Sequence, residues 1–197
     1  MKLIEILYPV GLSRNDCRFI VQRVFDSYKI PSPVNSLEVG TVNWISYEAD
    51  YWNVHPALIL ATMMMEQFSI YENGKLNPPQ PLKPWACEAL CGIVEQNNPG
   101  TARPDLLGIA RQIYQTARGY AWSLNQTPTA MFGRTSGWNQ TWPRYTPGIV
   151  KSLYDKDRPT YPCKDAVEYS LLCHCPNYGR LKDAQEKWNI FIPFFQG

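Results

Sequence analysis

Pro56-Ala57-Leu58-Ile59-Leu60-Ala61-Thr62-Met63-Met64-Met65-Glu66 is the stretch whose reading decides the fold. Between Pro56 and Glu66 only Thr62 carries a polar side chain, so the segment has no face to offer water. A helix that is apolar all round belongs in the interior of a domain. At about 100° per residue, Glu66 projects from the same face as Ile59, seven residues earlier, and Met63, three residues earlier. A carboxyl in that position either reaches solvent past the helix end, as most glutamates closing apolar runs do, or is held in dry surroundings. Desolvation disfavours the carboxylate and raises its pKa, as a general acid working near neutral pH requires. Glu66 is therefore the candidate catalytic acid.

The helix is expected from about Val54 to about Phe68. Asn53 is the expected N-cap, and Pro56 is tolerated in the first turn, where its missing N–H would have no partner. Asn73-Gly74 and prolines 78, 79, 81 and 84 stop the chain from continuing as helix. The buried helix thus opens into a long irregular stretch, a common way to set a side chain at the floor of a cleft.

Working outward, a first helix is expected from a cap at Asn15 or Asp16 to about Tyr28, with Phe19, Ile20, Val24 and Phe25 as its apolar stripe. A second runs from about Val42 to Tyr51, with Ile45, Ala49 and Trp52 on one side. Beyond the Glu66 helix, residues 70–104 are loop-dominated with a short helix near Trp85–Cys91. An amphipathic helix from about Asp105 to Leu124 follows, in which Ile109, Ile113, Ala117, Tyr120 and Leu124 recur at threes and fours. Asp105 and Arg118 suit the dipole of that helix. Residues 125–162 read as a structured loop with a short helix near Gly148–Tyr154, and two helices, about Lys164–Cys173 and Leu181–Ile192, end the chain. With no convincing strand pair or repeat, the expected class is all-α, with long structured loops around a central buried helix.

At 197 residues the chain is most simply one domain over 1–197, large enough to fold without disulfides. It divides into an N-terminal helical cap (1–40), a core (42–125), and a loop with C-terminal helices (126–197). A formal charge of +2 gives no argument for nucleic acid, whose binding surfaces show a stronger basic bias. The seven Trp and twelve Tyr include many in polar or Pro-rich settings, such as Trp85, Trp138 and Trp142. Such rings suit the apolar faces of sugars and equally well pin loops to a core. No run of about 18 or more apolar residues predicts membrane insertion. Met1-Lys2-Leu3-Ile4-Glu5 lacks the apolar stretch of a secretory signal, so synthesis in the cytoplasm without its own export address is expected.

The six cysteines are Cys17, Cys87, Cys91, Cys163, Cys173 and Cys175. Their spacing, even with His174 between the last two, does not fit common zinc sites. Buried thiols or one or two disulfides are the better reading, and neither a metal nor a cofactor is expected. The sequons Asn125-Gln126-Thr127 and Asn139-Gln140-Thr141 carry no weight without export.

Three stretches together resemble the lysozyme-like superfamily, in particular goose-type lysozymes, soluble lytic transglycosylases and their phage relatives. Tyr51-Trp52-Asn53-Val54-His55-Pro56-Ala57-Leu58 leading to Glu66 resembles the family segment that ends in the catalytic acid. Gly92-Ile93-Val94-Glu95-Gln96-Asn97-Asn98-Pro99-Gly100-Thr101-Ala102 resembles the family's Gly-Leu-Met-Gln motif followed by Pro-x-Thr-Ala. The helix from Asp105 stands where the family has its next long helix. The resemblance covers about residues 45–125. It implies a lysozyme-like fold and cleavage of the β-1,4 bond between N-acetylmuramic acid and N-acetylglucosamine in peptidoglycan strands.

By the same resemblance Glu66 is the acid, and Gln67, Ser69, Ile93, Glu95, Gln96 and Tyr145 are candidate substrate contacts. Loop anchoring and core packing are the competing roles for Gln96 and Tyr145. The chain departs from the family pattern in three places. Gln67 follows Glu66 where the family has Ser, the nearest serine being Ser69. The Gly-to-Pro interval is one residue longer, so either Glu95 or Gln96 can take the place of the family's glutamine. Trp142-Pro143-Arg144-Tyr145-Thr146-Pro147 replaces a Tyr-Asn-Ala-Gly motif.

A transglycosylase needs one carboxyl, whereas retaining and inverting hydrolases use a second about 5–5.5 Å or about 6.5–9.5 Å away. The candidates for a second are Glu72, Glu88 and Glu95, each more readily read as a solvated surface acid. The one-carboxyl mechanism is the preferred expectation. Two other readings stand beside it: an N-acetylglucosaminidase of the same superfamily, and a non-catalytic lysozyme-like module of a phage or secretion particle. Missing export signals fit phage lysins released through a membrane pore or carried on a particle, so action at the bacterial wall is expected.

Overall fold

The computed structural model describes residues 7–28, 40–67, 71–72, 75–76, 90–92, 105, 107–123, 149–150, 161–162 and 178–197. The helices are α1 (Arg14–Tyr28), α2 (Thr41–Trp52), α3 (Pro56–Gln67), α4 (Ile109–Ser123) and α5 (Tyr178–Phe191), the last running into a 3-10 turn at Ile192–Phe195. The described part is thus overwhelmingly helical. None of its helices is long and apolar enough to cross a membrane. The expected helices near Trp85–Cys91 and Lys164–Cys173 lie largely or wholly outside the described residues.

The central helix is α3. Every residue from Pro56 to Met65 is buried, and Leu58, Ile59, Leu60 and Met63 are fully so. It packs most extensively on α5 and also against α2 and α4. Each fully buried aliphatic side chain contributes about 1.5–3 kcal/mol. Tertiary packing, rather than intrinsic propensity, therefore holds a helix of this length together. Thr62, its one interior hydroxyl, bonds the Leu58 carbonyl at 2.9 Å and also the Tyr120 hydroxyl from α4.

The start of α3 differs from the sequence expectation. Asn53 does not cap α3 but ends α2, in the left-handed conformation at φ 53° and ψ 43°. Asparagine is among the few residues besides glycine that enter this region readily. The cap of α3 is His55, whose Nδ1 accepts the Ala57 N–H at 3.1 Å, with Pro56 in the first turn. A backbone bend at Val54–His55 thus lets two helices follow each other almost without a loop.

The cap of α1 also moves, from Asn15 or Asp16 to Ser13. Its hydroxyl accepts the Asp16 N–H at 3.1 Å and donates to the Asp16 carboxylate at 2.6 Å, a reciprocal capping arrangement. The buried stripe of α1 is Cys17, Val21, Val24 and Phe25, and Phe19 points outward. Cys17 fills a core position as a small hydrophobe would. In α2 the expected Ile45, Ala49 and Trp52 are buried, joined by Glu48. Helix α4 starts four residues later than expected, after Gly108, whose carbonyl accepts the Gln112 N–H at 2.9 Å. Its stripe of Ile109, Ile113, Ala117 and Tyr120 is buried as expected. Helix α5 begins at Tyr178, three residues before its expected start at Leu181.

Two short antiparallel ladders interrupt the helical plan. Strand β1 (Tyr71–Glu72) pairs with β2 (Lys75–Leu76), and β3 (Ile149–Val150) with β4 (Tyr161–Pro162). In the second ladder Ile149–Val150 are strand, where a helix near Gly148–Tyr154 is expected; the rest of that segment lies outside the described residues. The first is explained by Asn73-Gly74, the two residues between the paired Glu72 and Lys75. Asn-Gly is the strongest short hairpin sequence as well as a helix terminator.

Candidate functional site

Three elements meet around Glu66. Helix α3 delivers the residue at its C-terminal end, where Ile59 and Met63 beneath it are wholly buried and Glu66 itself is half-buried. The Leu90-Cys91-Gly92 turn lies against it. Helix α4 holds that turn in place, because the side-chain carbonyl of Gln112 accepts the Cys91 N–H at 3.1 Å.

Gly92 defines the contact. Its φ is +70°, in the left-handed region, and a Cβ there would stand 2.5 Å from Glu66 Oε2, 2.6 Å from Cδ and 2.7 Å from Cγ. No side chain larger than hydrogen fits without moving the carboxyl. The position therefore requires glycine twice over, for its backbone angle and for the approach of Glu66. The half-buried carboxyl packs directly against backbone at Gly92.

Behind the turn, Leu90 and Cys91 are completely buried. Burial pushes the Cys91 thiol up to about 12, with the neighbouring Glu66 charge adding to the shift and the Thr116 hydroxyl opposing it. Such a thiol is inert. Cys91 therefore belongs to the floor of the site. Cys17 is a second buried thiol.

Among the sequence candidates, the structure places Glu66 as described and ends α3 at Gln67. Ser69, Ile93, Glu95, Gln96 and Tyr145 lie outside the described residues, as do Cys87, Cys163, Cys173 and Cys175. Sequence reasoning missed Gln112 and Thr116. Their signal was present: two polar residues four apart on α4, adjoining the Ile109 and Ile113 stripe. It also missed Glu48, which is 4% exposed and accepts the Trp52 indole N–H at 3.0 Å. Burial pushes Glu48 up to about 7, with the Trp52 bond and the Arg14 charge opposing. Its spacing from Ile45 and Trp52 already put it on the buried side of α2.

What this arrangement offers chemically is a half-buried carboxyl on a rigid apolar stem, packed against the Gly92 backbone. Among the described residues no group of three or more metal-ligating side chains gathers. Comparison with protein-family models, with characterised proteins and with solved structures finds no match, so the local geometry and the sequence motifs carry the functional reading.

Proposed function

We propose that the protein is a peptidoglycan-cleaving glycosidase, a lytic transglycosylase or muramidase, in which Glu66 is the general acid on the β-1,4 bond between N-acetylmuramic acid and N-acetylglucosamine. One observation carries this reading: Glu66 lies against Gly92. These residues belong to two of the three stretches on which the lysozyme-like resemblance rests, and contact between them is what a shared site demands.

In the proposed reaction Glu66 gives its proton to the glycosidic oxygen as the bond from that oxygen to C1 of the muramic sugar breaks. Charge then develops on the ring as an oxocarbenium-like species. The Glu66 carboxylate next takes the proton of the muramic 6-hydroxyl, whose oxygen closes onto C1 to give a 1,6-anhydro end. This sequence needs one carboxyl, and Glu66 supplies it. The rigid backing by Gly92 supports the reading further, because proton transfer requires a fixed donor within hydrogen-bond reach of the leaving oxygen. The site would act at the bacterial wall.

Mass spectrometry of purified wall digested by the protein tests the proposal. Soluble fragments with anhydro-muramic ends are expected. Reducing muramic ends would replace the one-carboxyl route by hydrolysis, reducing glucosamine ends would move the cut to the other linkage, and absence of soluble fragments would overturn the enzymatic reading.

A further inference from the structure

A second cleft of about 430 Å³ lies between the N-terminal halves of α1 and α2, lined by Arg14, Asn15, Arg18, Asn43, Trp44, Ser46 and Tyr47. It shares no residue with the Glu66 site. Its volume is within the range of about 300–1,000 Å³ that small-molecule sites occupy. The geometry points to a binding site for an acidic saccharide, a pyranose that carries a carboxylate.

Three features argue for this occupant. The aromatic wall comes first. Tyr47 is 41% exposed and stacks in parallel on Tyr51, at 6.1 Å between centroids and 8° between planes, while Trp44 meets Tyr47 edge-on at 6.3 Å. These rings, held rigid by their neighbours and with Tyr47 partly exposed, give the cleft an aromatic wall of the kind that packs on the C–H groups of a sugar ring.

Charge comes second. Arg14 is engaged by Asp50, with Nε 2.9 Å from the carboxylate, and sits 4.5 Å from the Tyr47 ring centre. Arg18, one turn on, has no carboxylate partner among the described residues and rests only over Phe19 at 5.4 Å. An arginine fork beside an apolar wall suits a carboxylate.

Unused hydrogen-bonding capacity is the third feature. The exposed amides of Asn15 and Asn43 stand at the cleft, as hydroxyl and acetamido groups require.

The inference rests on the glycan reading for the choice of sugar, and on the cleft alone for the charge. Its test uses the full chain as Glu66→Gln, so that binding is measured without turnover. The β-1,4-linked disaccharide of N-acetylglucosamine and N-acetylmuramic acid is titrated against neutral di-N-acetylchitobiose, followed by calorimetry and by the tryptophan indole N–H signals.

We expect the acidic disaccharide to bind about ten-fold tighter than the neutral one, the size of one charge-assisted pair. Arg18→Gln should abolish that preference, Tyr47→Ala should weaken both ligands, and Arg23→Gln on the exposed face of α1 should change neither. Equal affinity for the two sugars, a preference that survives Arg18→Gln, or no binding of either sugar overturns the assignment. Wall cleavage by the wild type is scored separately. Loss of the cleft proposal leaves the Glu66 proposal standing, and the reverse also holds.

Discussion

At its N-terminus α3 encloses His55, 5% exposed, between the rings of Trp188 at 5.1 Å and Phe195 at 5.0 Å, whereas at its C-terminus Glu66 rests half-open on Gly92. Both residues are polar ends of one apolar helix, and both are immobilised. They differ in who can reach them. The Nδ1 atom of His55 is used up by the Ala57 N–H, and desolvation pushes its pKa down to about 3, so the ring is a neutral structural cap. Glu66 is only half-buried, with the Gly92 backbone against it. Deep burial therefore marks the structural end and partial burial the candidate chemical end. Glu48 makes the same point, being the more deeply buried acid and lying outside the proposed chemistry.

The largest expected effect breaks the sealed end. Trp188→Ala removes one wall of the His55 cage and one of the largest buried side chains, and should cost about 3–5 kcal/mol in denaturant unfolding. A loss under about 1 kcal/mol would mean that the α3–α5 junction is not part of the cooperative core.

A pH series sharpens the contrast between buried groups. His55 is neutral in the folded state down to about pH 3 but takes a proton in the unfolded state below about pH 6.5. Its contribution to stability thus falls as pH drops from about 6.5 to 3. Glu48 acts in the opposite sense. Its folded pKa of about 7 stands above the unfolded value near 4.5, so it costs stability as pH rises through that window. Between about pH 4.5 and 6.5 the two slopes cancel.

Glu48→Gln keeps an acceptor for Trp52 and removes one slope. The variant should be more stable than wild type by roughly 1–3 kcal/mol at pH 8. That advantage should shrink as the pH falls from about 7 towards 4.5, by up to about 1.4 kcal/mol per pH unit, until it is gone. A constant difference between the two proteins across this range would contradict the burial assigned to Glu48.

A smaller change in stability should come from Gly92→Ala at the open end. The left-handed backbone costs an alanine about 1–2 kcal/mol, and the added methyl must displace the Glu66 carboxyl. Wall cleavage should fall by more than the loss of folded protein explains. Unchanged specific activity in the folded fraction would show that the Glu66–Gly92 contact does not position the acid.

Much of this architecture could be read from residues. The apolar run 56–65 announced a central helix because no polar face was available to it, and the stripe Ile109, Ile113, Ala117 and Tyr120 announced α4. The junction at Asn53–His55 was misread because asparagine is favoured both before a helix and just after one. Only the backbone angle, set by how α2 and α3 pack, decides between them. In the same way Phe19 satisfies a helical period but turns outward, because Cys17, Val21, Val24 and Phe25 hold the buried face of α1. At the site, the position of Glu66 followed from periodicity, but its support by Gly92 needed the chain to return from another part of the sequence. No local pattern encodes that approach, beyond a glycine that opens a motif.

The central claim is that Glu66 is the proton donor, and the most direct measurement compares wild type with Glu66→Gln for release of soluble fragments from purified wall. Melting curves are recorded on both proteins. The account predicts matched unfolding and a drop in release of about 10²-fold or more, the contribution typical of a positioned general acid. Undiminished release by a fully folded Glu66→Gln protein would contradict it.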